Sequence, residues 1–129
     1  MNEHIYHGGC HCHEIRFEIQ LKKTLAEVTI LQCNCSICIK TGYLHLIIPK
    51  KQFELQTNWA NLSNYQFNKR IAKHYFCKIC GIKSFYQPRS HPDCWSINVR
   101  CLDEYSYDKL KLEDFDGKNW QKSRDNLKP

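Results

Sequence analysis

Apolar and polar residues alternate along most of this chain with a period of two, the mark of strands that bury one face. In "EIRFEI", Ile15, Phe17 and Ile19 fall on one side, and Glu14, Arg16 and Glu18 on the other. "VTILQ" predicts a second strand that runs into a group of cysteines. "YLHLII" predicts a third, more continuously apolar and closed by Pro49. "FELQ", "NYQFN", "KHYF", "KSFYQ" and "CWSINVRC" extend the set, with turn signals at Gly42, Pro49, "NLSN", Gly81 and "PRSHPD". Helix signals are confined to a turn around "SICIK" and to "DEYSYDKL". After Leu112 the sequence "EDFDGKNWQKSRDNLKP" is polar and reads as a loosely held tail anchored by Trp120. The pattern predicts a mainly β protein in one domain spanning residues 1–129, without linker or repeat.

Length and composition agree with a single domain: 129 residues, 42% hydrophobic and 25% charged. A mean hydropathy of −0.61, with no apolar run near the ~18 residues a membrane helix needs, excludes that class. "MNEHIYHGGC" lacks the apolar segment of a signal peptide, so the expected location is cytoplasmic. The net charge of +6 favours an anionic ligand or a nucleic-acid surface. Charge alone does not choose between them, and a merely solvated surface is the third reading; no compact Lys/Arg run and no aromatic–basic interleaving supports nucleic acid.

The nine cysteines change the picture most. Their number is odd, and a reducing compartment favours metal ligation or thiol chemistry over disulfides. They fall in groups: Cys10 and Cys12, then Cys33, Cys35 and Cys38, then Cys77 and Cys80, then Cys94 and Cys101. Cys10 and Cys12 are poor partners for each other, because so small a disulfide ring is strained. "CKICG" at 77–81 has the spacing of a zinc knuckle, whose glycine permits a left-handed turn. Alone it offers two ligands. "CHC" at 10–12 offers the other two, and Gly8 and Gly9 let the backbone come close. Cys10, Cys12, Cys77 and Cys80 therefore predict a closed structural site that ties distant segments together.

"CNCSIC" is different. Cys33, Cys35 and Cys38 give three thiolates, one short of a closed tetrahedron, and three protein ligands with an exchangeable fourth position mark a catalytic zinc. A second structural site is the other reading, its fourth ligand drawn from Cys101, Cys94, His45, His74 or His91. In "CWSINVRC" alternation puts Trp95, Ile97, Val99 and Cys101 on one face of a strand, and Cys94, Ser96, Asn98 and Arg100 on the other. Cys101 is thus either a buried small hydrophobe or a ligand at the strand's end.

Together "GGCHC", "CNCSIC", "FCKICG", "PRSHPD" and "CLDE" resemble the glutathione-dependent formaldehyde-activating enzyme family, in particular its centromere protein V-like branch. The resemblance covers about His7 to Asp116. It implies a β-tent fold of short antiparallel sheets with up to two zinc ions, a structural one on Cys10, Cys12, Cys77 and Cys80 and a catalytic one on Cys33, Cys35 and Cys38. It implies a carbon–sulfur lyase that combines glutathione, as co-substrate, with formaldehyde or a related small aldehyde into S-(hydroxymethyl)glutathione. Lys40, Arg89 and Arg100 are candidate partners for the glutathione carboxylates. The branch resemblance adds Cys101, within "CLDE", as a candidate fourth ligand of the second zinc. If Cys101 closes that site, the alternative is a non-catalytic, zinc-stabilised binding module that contacts nucleic acid or protein.

Overall fold

The computed structural model describes residues 3–67 and 72–116. Among these residues ten strands form two sheets. The smaller contains β1 (His4–Gly9), β2 (Arg16–Leu21) and β5 (Phe53–Leu55), in the order β1-β2-β5. The larger contains β3 (Thr29–Cys33), β4 (Leu44–Pro49), β6 (Leu62–Tyr65), β7 (Lys73–Cys77), β8 (Phe85–Gln87), β9 (Cys94–Asn98) and β10 (Lys111–Phe115). Its order is β10-β3-β4-β9-β8-β7-β6. Among the described residues one α-helix, α1 (Ser36–Thr41), joins β3 to β4. It ends at Gly42, whose φ of 63° is the left-handed conformation that glycine adopts without a steric penalty.

The alternation read in "EIRFEI" holds: Ile15, Phe17 and Ile19 are fully buried. They face Phe85, Trp95 and Ile97 of the larger sheet and make the main core. Phe53 lies between the sheets, its ring 4.7 Å from that of Phe85 and 5.5 Å from that of Phe17. Burying one such phenylalanine contributes roughly 2–3 kcal/mol, and tilted ring pairs add to it. The glycine pair permits the small sheet's close approach. A Cβ at Gly8 would lie 2.5 Å from the Cys101 carbonyl oxygen, and one at Gly9 2.0 Å from that of Ile15.

Two expectations are corrected, and one strand is new. The smaller sheet's first strand, "HIYHGG", carries no clear alternation and is set by pairing with β2. Residues 113–115 are not tail: they complete β10, which pairs with β3 in parallel register, Leu112 opposite Ile30, so the larger sheet is mixed rather than wholly antiparallel. "CWSINVRC" is strand only through Asn98, where a 3-10 turn over Val99–Cys101 ends the alternation. Trp120 lies outside the described residues. No helix among the described residues is long and apolar enough to cross a membrane.

Candidate metal centres and the polar layer between strands

The sulfurs of Cys10, Cys12, Cys77 and Cys80 lie within 4.8 Å of one another, and Cys12 Sγ is 3.6 Å from those of Cys10 and Cys77. β1 delivers the first pair and the end of β7 the second. Gly81, at φ 77°, turns the knuckle back toward β8, and His13, at φ 68°, turns the first loop. Main-chain N–H groups already point at the sulfurs: Ile15 N–H donates to Cys10 at 3.3 Å, and Ile79 N–H to Cys77 at 3.3 Å. Such donors stabilise thiolates, so four sulfurs with these partners fit a closed zinc site.

The sulfurs of Cys33, Cys35 and Cys38 form the second group, also within 4.8 Å of one another. Cys33 ends β3, Cys35 caps α1, and Cys38 lies buried inside the helix. Hydrogen bonds from the Cys33 and Cys38 thiols pull Cys35 down to about 2, while the same crowding pushes Cys38 far up. Three thiols thus share protons so that one is a thiolate, an arrangement that a divalent cation relieves by ionising all three. The donor set fits zinc with a position left over.

Cys101 belongs to neither group. Its thiol turns to the Lys83 carbonyl oxygen at 3.9 Å, and burial raises it to about 11. The 3-10 turn that ends β9 rotates it off the face expected from alternation. The rest of "CLDE" is structural: Leu102 is core, and Asp103 accepts both guanidinium N–H groups of Arg16, which holds its carboxyl below the usual range. Cys94 faces Asp93, and His91 bonds Ser90, both away from the thiol groups. Lys40 is exposed in the last turn of α1, and Arg89 is half-buried. Arg100 donates to the Gly42 carbonyl at 2.9 Å, fastening the end of α1 to the turn that follows β9.

The face of β9 opposite the core is also buried, and it carries polar residues that alternation alone assigns to solvent. His45 Nε2 lies 3.1 Å from Cys38 Sγ. On its other side, His45 Nδ1 meets Ser96 Oγ at 3.0 Å and Tyr86 Oη at 3.2 Å. Tyr43 donates to the Ser96 carbonyl at 2.6 Å. Register explains the alignment: His74 of β7 pairs with Tyr86 of β8, and Tyr86 with Ser96 of β9. Lys83, only 7% exposed, places Nζ 2.7 Å from His74 Nδ1 and 4.0 Å from the centre of the Tyr86 ring. Burial, then the charge of Lys83, lowers His45 to about 3 and His74 to about 4, so both are neutral near pH 7. A signal for these residues exists in the sequence. His45 interrupts the apolar run "YLHLII" and Lys83 precedes "SFY", and a polar residue inside a buried run is itself buried.

This is a two-sheet β protein with one four-thiol and one three-thiol group of metal-binding geometry. The family model described as glutathione-dependent formaldehyde-activating enzyme matches residues 5–118, most of the chain, and the chain belongs to that family. A crystal structure of a Rhodobacter sphaeroides protein, determined as a structural-genomics target, is similar to it. The two share 31% identity and a TM-score of 0.73, over 84% of this chain and 97% of the other.

Proposed function

We propose that this chain is a carbon–sulfur lyase that joins glutathione to formaldehyde or a related small aldehyde, giving S-(hydroxymethyl)glutathione. The observation that carries the reading is the incomplete second group: Cys33, Cys35 and Cys38 converge without a fourth cysteine, because Cys101 faces Lys83. Zinc held by these three residues would keep an incoming thiol ionised at neutral pH. Cys10, Cys12, Cys77 and Cys80 would hold a second, structural zinc.

The chain's own residues supply the rest. His45 Nε2 meets the Cys38 sulfur while its Nδ1 lies within hydrogen-bond distance of Ser96 Oγ and Tyr86 Oη, which fixes the ring and with it the sulfur. The glutathione sulfur adds to the aldehyde carbon, and the carbonyl oxygen becomes an alkoxide that takes a proton. Bringing both reactants to one place contributes much of the acceleration. The net charge of +6 favours an anionic tripeptide. We assign the domain to residues 1–129 and the working location to the cytoplasm, where glutathione is abundant. The finer placement in the centromere protein V-like branch rests on the "CLDE" motif.

The test is adduct formation. Zinc-loaded protein mixed with glutathione and 13C-formaldehyde is expected to exchange label into the hydroxymethyl group faster than the spontaneous reaction, by NMR. In the cobalt-substituted protein, a thiolate-to-metal band should grow as glutathione is added. Absence of both would leave the zinc-stabilised binding module as the better reading.

A further inference from the structure

We propose that His74 and Lys83 form a proton relay in which His74 Nε2–H touches the oxygen of the thiol–aldehyde adduct and Lys83 supplies the proton from behind. The inference rests on the lyase reading above and names the acid which that reading leaves unassigned.

The starting observation is an unusual cation. Lys83 is buried, and among the described residues no carboxylate lies within 4.0 Å of its ammonium. Its neighbours are the faces of Tyr43, 4.8 Å away, and Tyr86, and the Nδ1 atom of His74. Burying a charge in this way is costly, and an apolar residue of similar length fills such a space more favourably. Packing alone does not explain a lysine here.

The hydrogen bond then fixes the tautomer of His74. An ammonium has only donors, so Nδ1 must be the acceptor, and the proton of the neutral ring sits on Nε2. The ring cannot turn freely, because it is stacked between Tyr86 at 4.8 Å and Phe67 at 5.4 Å. Yet Nε2 is buried and has no hydrogen-bond partner among the described residues. A buried N–H left without an acceptor is expensive, and a substrate oxygen would satisfy it.

The pair belongs to the same layer as the second thiol group. Tyr86 stacks on His74 and also bonds His45, which bonds Cys38. The charge of Lys83 is favoured by the thiols of Cys38, Cys35 and Cys33, although burial lowers it to about 8. A lysine in that range gives up a proton more readily than one in water. A neutral imidazole held near 4 passes the proton on rather than storing it.

The proton count closes. The thiol loses its proton to solvent on ionising. When its sulfur forms the carbon–sulfur bond, the π pair of the carbonyl bond moves to oxygen. That oxygen takes the Nε2 proton while Nδ1 takes one from Lys83, leaving a neutral imidazole of the other tautomer and a neutral amine. Return of the Nδ1 proton to the amine, with Nε2 reloaded from solvent, restores the starting state. The net change is the addition of one thiol to one formaldehyde, giving one S-hydroxymethyl product and nothing else. His74 is the catalytic residue and Lys83 the positioning one.

The experiment uses the full zinc-loaded chain, its Lys83→Met, Lys83→Arg and His74→Phe variants, 15N-histidine NMR and the 13C-formaldehyde exchange assay. His74 is expected as the Nε2–H tautomer in the unmodified chain and in Lys83→Arg, and not in Lys83→Met. The adduct rate should fall by about 100-fold in all three variants, with zinc content and glutathione affinity retained. Arginine holds the tautomer but does not release a proton. A rate restored in Lys83→Arg, an unchanged rate in Lys83→Met, or a Nδ1–H tautomer in the unmodified chain would each overturn the relay. The stacking phenyl of His74→Phe keeps the layer filled, so an unchanged rate there overturns the relay too. If the unmodified chain forms no adduct above the spontaneous rate, the lyase reading falls and takes the relay with it.

Discussion

His45 Nε2 lies 3.1 Å from Cys38 Sγ, and the opposite edge of the same ring is gripped by Ser96 and Tyr86. The ring therefore orients the Cys38 sulfur without being one of the grouped ligands. Second-sphere partners of this kind typically contribute 10–100-fold to metal affinity. His45→Phe should weaken zinc binding at Cys33, Cys35 and Cys38 by about that factor and leave the four-thiol site unchanged. Chelator competition, followed as two separable release steps, checks both halves.

The four-thiol group joins segments far apart in sequence, and Cys77 is fully buried within it. Metal binding there is coupled to folding. Cys77→Ser should lose one zinc per chain by elemental analysis and lower the melting temperature by about 10 °C or more. A mild chelator should act in the opposite order on the unmodified protein. It should strip the three-thiol site first while far-ultraviolet circular dichroism stays β-like.

Cys101 separates a ligand from a core residue. Its thiol faces the Lys83 carbonyl and lies in neither sulfur group. Cys101→Ala should therefore cost about 1 kcal/mol through lost packing and leave the zinc stoichiometry unchanged. A drop in zinc content would reinstate it as a ligand.

Burial lowers both His45, to about 3, and His74, to about 4. In the unfolded chain a histidine titrates near ~6.5, so the unfolded state binds protons that the folded state refuses. The stabilisation from keeping these rings neutral is complete above ~6.5 and is lost as pH falls through that value toward ~4, at up to about 1.4 kcal/mol per pH unit per ring. Denaturant unfolding at pH 7, 6 and 5 should show this slope, and His74→Phe should reduce it by the share of one ring.

Most strands and the cysteine pairs and triplet were legible in the sequence because each depends on local spacing. Ile15, Phe17 and Ile19 alternate, and C-x-C, C-x-C-x-x-C and C-x-x-C bring sulfurs together over single turns. The polar layer was not legible in the same way. Ser96 and Asn98 alternate with Trp95 and Ile97 as solvent-facing residues do, but β9 is central in a seven-stranded sheet and is buried on both faces. β10 escaped for a related reason. "KLEDF" carries few apolar residues, and its strand conformation comes from pairing with β3 rather than from its own pattern. Cys101 stands apart from both sulfur groups because the alternation of β9 stops at Asn98, where a turn begins.

β10 also ties the second thiol group to the order in which the polypeptide emerges during synthesis. Phe115 stands opposite Cys33, its carbonyl accepts the Asn34 N–H at 3.2 Å, and the Asn34 side chain bonds Asp116 at 3.0 Å. The four-thiol group has all its ligands once Cys80 has been made. The three-thiol group has its ligands far earlier, by Cys38, yet it lacks its flanking strand until Phe115 arrives. A nascent chain thus exposes a reactive trio of sulfurs, able to capture metal or oxidise, well before the scaffold that shapes them. Such long-range closure is slow compared with local contacts. The three-thiol group therefore reaches its final surroundings only after the last described strand has been made, long after its own cysteines.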